Sequence, residues 1–157
     1  MGLILVLALT SCGGSTDDDE GEAEAAAREF FTAVEDGEWG TVCLLQTEEA
    51  RERVVGSGGL VVREADRVAG IGHGVRGSDF LTCTDFWQFT ASYGSQYEKR
   101  FPLGGHVDAA EYSTEVDGDT ATVRASFGSD TGGVEVKLEK ADDTWLVAES
   151  EGVFARP

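Results

Sequence analysis

An α+β domain, with N-terminal helices packed on a curved antiparallel meander sheet, is predicted by one change of period along the chain and one piece of turn chemistry. Before Val107 the apolar positions recur every three or four residues, which is one face of a helix. After it they alternate, which is one face of a half-buried strand. Asp117-Gly118-Asp119 then falls between two alternating runs and supplies the residues a tight hairpin needs. Helices first and strands after argue for segregated layers rather than parallel βαβ units.

The clearest helix carries Ala23, Ala26, Ala27, Phe30, Phe31 and Val34 on one face, and Gly37 ends it. Trp39 to Leu45 reads as a second, short helix burying Trp39, Val42 and Leu45. Thr47 followed by Glu48 and Glu49 reads as the start of a third, because a hydroxyl caps free N–H groups and carboxylates suit the positive end of the helix. That helix is expected to stop near Gly56-Ser57-Gly58-Gly59. Leu60 to Val68 reads two ways, strand-like at Leu60-Val61-Val62 and helix-like beyond. Gly72-His73-Gly74-Val75-Arg76-Gly77 has the spacing of a dinucleotide-binding turn, but that motif works only between a strand and a helix of a parallel unit. We read it as a glycine loop. Thr84 and Asp85 are placed to cap a further helix bearing Phe86, Phe89, Tyr93 and Tyr97.

In the meander, Tyr112, Thr114 and Val116 alternate with Glu111, Ser113 and Glu115. Ala121, Val123, Ala125 and Phe127 face one way and Thr122, Arg124 and Ser126 the other. Gly132-Gly133 opens the next strand, in which Val134, Val136 and Leu138 alternate with Glu135, Lys137 and Glu139. Ala141-Asp142-Asp143 turns into a last strand, Thr144 to Ser150, holding Trp145 and Val147.

Ahead of this domain, Met1 to Leu9 is uncharged and apolar, too short for the roughly 20 residues of a membrane span. With Leu9-Thr10-Ser11-Cys12 at its end it resembles the signal peptide and lipobox of bacterial lipoproteins. The resemblance implies cleavage after Ser11 and a lipid on Cys12, which makes residues 1–11 a signal peptide. Ordinary secretion with cleavage near Ala8 is the alternative. No basic residue precedes the apolar run, so a basic leader upstream of Met1 is expected. Residues 12–24, the lipidated cysteine and an acidic run with nothing large to pack, read as a flexible tether. Residues 25–157 form the single domain. Of the three cysteines, lipidation occupies Cys12 and leaves Cys43 and Cys83 to pair in an oxidising compartment. Two buried free thiols are the alternative. Neither lies at a metal-ligand or redox spacing, so no metal and no cofactor are expected.

The formal net charge is −18, with 30 acidic residues against 12 Lys and Arg. Such a surface repels nucleic acid and anionic head groups, so neither is expected as a partner. The abundance of Ala, Gly and Val suggests a high-GC genome and a Gram-positive cell surface.

Ala27-Arg28-Glu29-Phe30-Phe31 with Asp36-Gly37-Glu38-Trp39, then Glu115 to Val123 and Thr144-Trp145-Leu146-Val147, resemble the opening helix and closing hairpins of the nuclear-transport-factor-two-like (cystatin-like) cone. The nearest likeness is to actinobacterial lipoproteins bearing that domain. The resemblance implies a cone between the first helix and the sheet, and Phe30, Phe31, Val34, Val123, Phe127, Val136 and Leu138 are the expected lining of a cavity there. The family includes ketosteroid isomerase, yet Phe30 and Phe31 stand where that enzyme would place its tyrosine, and no Asp matches its base. The only histidines, His73 and His106, lie beside glycines in loops, and no serine sits in a nucleophile elbow. No catalytic residue is named.

The expected function is therefore a lipid-anchored, extracytoplasmic binding or accessory module of the cell envelope. It would be membrane-bound through Cys12 and would take a small apolar ligand or another envelope protein. The alternative is an isomerase-like or hydrolase-like enzyme acting on a small apolar substrate in the cone. Cys12→Ser should move the protein from the detergent phase to the aqueous phase on Triton X-114 partitioning, and equal partitioning of the two forms would reject the anchor.

Overall fold

The computed structural model describes residues 16–69, 82–96, 107–127 and 133–151. Helices α1 (Thr16–Asp36), α2 (Trp39–Leu44), α3 (Glu48–Ala69) and α4 (Cys83–Gln96) come first. A 3-10 turn, Val107–Ala109, then leads into strands β1 (Glu111–Asp117), β2 (Thr120–Ser126), β3 (Gly133–Ala141) and β4 (Thr144–Glu151). The strands form one sheet in the order β1-β2-β3-β4, each neighbour antiparallel. This is the predicted α+β architecture.

Both visible hairpins are set by turn chemistry. Gly118 has φ +61° at the first central position between Asp117 and Thr120, which fits a type II′ turn. Asp142 and Asp143, at φ 48° and 61°, make a type I′ turn between Ala141 and Thr144. With registers fixed, Ala121, Val123, Ala125, Val134, Val136, Leu138, Trp145 and Val147 are buried on one face. The other face carries Glu115, Arg124, Glu135, Lys137 and Glu149, and Arg124 Nε donates to Glu135 Oε2 at 2.7 Å.

Helix α1 touches all four strands. It ends in a Schellman motif, where the Gly37 N–H donates to Val34 O at 3.3 Å and the Glu38 N–H to Ala33 O at 2.8 Å. Gly37, at φ +71°, permits the turn, and Trp39 then starts α2. The Thr47 hydroxyl caps α3 by accepting from the Ala50 N–H at 3.2 Å, as the sequence predicts. Helix α4 is capped two residues earlier than expected. Thr82 Oγ1 accepts from the Asp85 N–H at 3.2 Å while Asp85 Oδ2 accepts from the Thr82 N–H at 3.1 Å, a reciprocal capping box.

Two expectations are corrected. The acidic run read as a tether is helical from Thr16, so the domain begins before residue 25. Asp17, Asp18 and Asp19 sit in the first turn, where the helix dipole favours them, and Ala23 is fully buried. Lys140 Nζ also meets Asp19 Oδ1 at 2.6 Å and Glu22 Oε2 at 3.8 Å, a cation 121 positions away that local pattern does not reveal. Second, α3 runs through Gly56-Ser57-Gly58-Gly59 to Ala69, which also makes Leu60 to Val68 helical. Each interior glycine costs only about 1 kcal/mol, less than the packing of Val54 and Val55 on the core restores. Gly72 to Gly77, Tyr97 and both histidines lie outside the described residues, as do residues 1–15. Among the described residues no helix is long and apolar enough to cross a membrane.

Cys43 and Cys83 are joined by a disulfide with their Cα atoms 6.0 Å apart, bracing α2 against α4. Its separation of 40 residues corresponds to about 4 kcal/mol in the chain-entropy account. The double variant C43A/C83A should lower the unfolding free energy by up to about 4 kcal/mol, read as a lower urea midpoint at unchanged m, and thiol labelling of the unreduced, denatured protein should find neither Cys43 nor Cys83 free.

Candidate functional site

The expected cavity between α1 and the sheet is filled by the residues expected to line it. Phe30, Phe31, Val123 and Val136 have 0 % exposure, Leu138 has 1 % and Val34 2 %. A side chain that a water-sized sphere cannot touch borders no space able to admit a ligand. Phe30 meets Phe31 edge-on at 5.9 Å and Phe31 meets Phe127 at 6.1 Å, with Phe127 half-buried at the end of the row. The far side is plugged by Trp87 of α4, 1 % exposed, whose ring lies 6.3 Å from Phe30. Six of the seven are core rather than cavity lining, and Phe127 packs half-buried against that core.

Trp87 is also half of a buried polar node that sequence reasoning did not single out. Its indole N–H donates to Gln46 Oε1 at 3.3 Å, and Trp39 stacks on it at 6.5 Å with 2° between the planes. An indole nitrogen only donates, so the Gln46 oxygen faces Trp87 and its NH2 group faces elsewhere. Cys83 Sγ lies 3.3 Å from the same oxygen; being in the disulfide it has no proton to give. Gln46 stands between two helices in an otherwise polar run, with no periodicity to mark it as 2 % exposed.

Among the described residues, a concave surface lies between the first turns of α3 and the end of β4. A groove of about 430 Å³ is lined by Gln46, Ala50, Arg53, Val54, Ala148 and Glu149. A second, of about 250 Å³, shares Arg53, Ala148 and Glu149 and extends over the outer sheet face to Lys137. Arg53 Nη1 donates to Ala148 O at 3.2 Å and sits 4.0 Å from Glu149 Oε1, while Lys137 Nζ donates to Glu149 Oε2 at 2.7 Å. The Lys137 hydrogen bond first, then the charges of Lys137 and Arg53, hold the Glu149 carboxyl below its ordinary range.

Glu149 is paired with Lys137 and Arg53, and among the described residues the buried polar side chains are Gln46, Thr47 and Thr90, none ionisable. Tyr112 donates its hydroxyl to Val107 O at 3.2 Å, with the Arg28 guanidinium 3.7 Å over its ring. Burial, outweighing the opposing Arg28 charge and reinforced by Glu24, Asp108 and Glu35, pushes its hydroxyl pKa up. That phenol is therefore no ready base. Among the described residues no cluster of His, Cys, Asp or Glu is placed to hold a metal ion.

Fold and surface together define a disulfide-braced α+β domain with a filled core and an acidic, polar exterior. No family model, curated protein or solved structure matches the chain.

A depressed folded-state pKa means that Glu149 contributes stability above its unfolded value and loses it as pH falls through the folded one. Lys137→Met should raise the Glu149 midpoint toward the ordinary 4.5 in a carboxyl-detected NMR titration. An unmoved midpoint would show that the pair is not formed in solution.

Proposed function

We propose that the chain is a lipid-anchored, extracytoplasmic accessory module of the cell envelope that binds another protein through its surface and catalyses nothing. The observation that carries this reading is the filled interface between α1 and the sheet, with Phe30, Phe31, Val123 and Val136 wholly inaccessible. A small apolar ligand would have to displace packed side chains there, and opening a core costs several kcal/mol. An enzyme reading would need a dry pocket that surrounds an ionisable group, and the grooves of the described residues are open and charge-paired instead. Binding at the surface is thus favoured over binding in the cone.

The disulfide supports an oxidising compartment, and it leaves Cys12 as the one cysteine for a lipid. The order of helices before meander, with Gly37-Glu38-Trp39 after the first helix, supports a place among nuclear-transport-factor-two-like cones. Here it would be a cone whose interior serves stability alone.

Native mass spectrometry of the full-length protein extracted from membranes should give the lipidated chain with no retained small molecule. The same preparation should turn over neither ketosteroid nor ester substrates. Turnover that survives removal of contaminants and disappears on replacing one carboxylate of this chain would overturn the reading.

A further inference from the structure

The two edges of the sheet are treated differently. On the β4 edge the Val147 N–H donates to Leu45 O at 2.8 Å and the Thr47 N–H to Val147 O at 3.0 Å, a parallel bridge made by the α2–α3 linker. Arg53 takes up Ala148 O on the same side. The chain closes that edge with its own backbone.

Strand β1 forms the other edge. Among the described residues it pairs only with β2, over its whole length from Glu111 to Asp117, so every second N–H and C=O along it points away from the sheet. No bulge, proline or lysine interrupts it; of the usual devices against unwanted pairing it carries only charge, in Glu111, Glu115 and Asp117, and carboxylates repel acidic strands while admitting basic ones. Its outer row is Glu111, Ser113, Glu115 and Asp117, and its inner row is the half-buried Tyr112, Thr114 and Val116.

We infer that the open edge of β1 is a docking site for an extended, basic segment of a partner protein, which adds to the sheet as a fifth strand. This rests on the surface-docking reading above and names the surface. Backbone pairing supplies the geometry, and Lys or Arg opposite Glu111, Glu115 and Asp117 supplies the complementarity. The inner row asks for β-branched side chains beside Tyr112 and Val116. A second copy of this chain is a poor occupant. Antiparallel self-pairing centred on Thr114 sets Glu111 against Asp117 and Ser113 against Glu115, and like charges directly opposite repel. Arg124, 3.7 Å from Glu115, forms an exposed pair too weak to cancel this acidity.

The probe is the peptide Lys-Val-Lys-Val-Lys-Val-Lys, titrated into the full-length chain in detergent micelles. A control of the same composition has its lysines in one block, and two others are N-methylated at every lysine or at every valine. The alternating peptide should bind and slow amide exchange along β1, and the blocked control should bind about ten-fold more weakly. One methylated form should lose binding and the other keep it, since alternate amides of a strand point to opposite sides. The E111K/E115K/D117K variant, on exposed positions, should weaken binding about ten-fold with an unchanged thermal melt. Equal binding of the blocked peptide, protection lying elsewhere, or no binding overturns the assignment. A photo-crosslinking residue placed at Ser113 or at Arg53 in envelope membranes separates the two readings. An adduct at Arg53 alone leaves docking standing and removes the β1 edge, whereas adducts at neither position remove both.

Discussion

A four-stranded meander with one apolar face survives in water only if that face is covered, and here helix α1, which touches all four strands, supplies most of the cover. Helix α1 spans 21 residues, and it presents Phe30, Phe31 and Val34 to a face made by Val123, Val136, Leu138 and Val147. Each such side chain contributes roughly 1.5–3 kcal/mol when removed from water, while the exposed pairs on the opposite face contribute about 0–1 kcal/mol each. The apolar interface therefore decides the fold, and the ion pairs adjust it. Even the acidic start of α1 is recruited to that end. Asp19 is held by Lys140 beside the ring of Trp145, where the hydrogen bond to Asp19 chiefly holds the ammonium pKa above its ordinary value.

Once α1 lies across the sheet, the remaining helices have a defined task at its far side. The Schellman turn at Gly37 redirects the chain so that α2 reaches α4, and the disulfide locks that meeting. The Gln46 side chain then satisfies Trp87 from below while its backbone neighbours hydrogen-bond to Val147. One short stretch, Leu45 to Thr47, thus seals a core end, closes a sheet edge and caps a helix. Nothing equivalent protects β1 among the described residues.

Much of this was legible in the sequence because it follows from local periodicity. The α1 face, the alternation of β1 to β3, the place of Trp145 and Val147 in β4, both hairpin turns and the Thr47 cap came from patterns spanning a few residues, whereas the β4 irregularity that buries Ala148 beside Val147 did not. What was missed depended on partners distant in the chain. The helical acidic run meets the distant Lys140 and buries Ala23 in the core, and the buried Gln46 accepts from the distant Trp87. Glycine content misled in α3, since a helix tolerates Gly56 and Gly58 when its apolar neighbours pack. The cavity expectation failed for a different reason. Periodicity tells which residues face one another, but whether they meet or leave a space is a matter of side-chain volume across two layers. Phe30, Phe31 and Trp87 together supply enough volume to close it.

A filled interior moves any recognition to the surface, and there the charge balance carries weight. With 30 acidic against 12 basic residues, this chain repels copies of itself and other acidic molecules at long range. The same field draws basic partners in, but a field alone would draw any of them. Selectivity needs short-range geometry that only some partners can satisfy. An unpaired strand edge supplies that geometry, because it accepts extended backbone in one register and rejects helices. Diffuse acidity and a directional edge together thus make a more discriminating surface than either would alone.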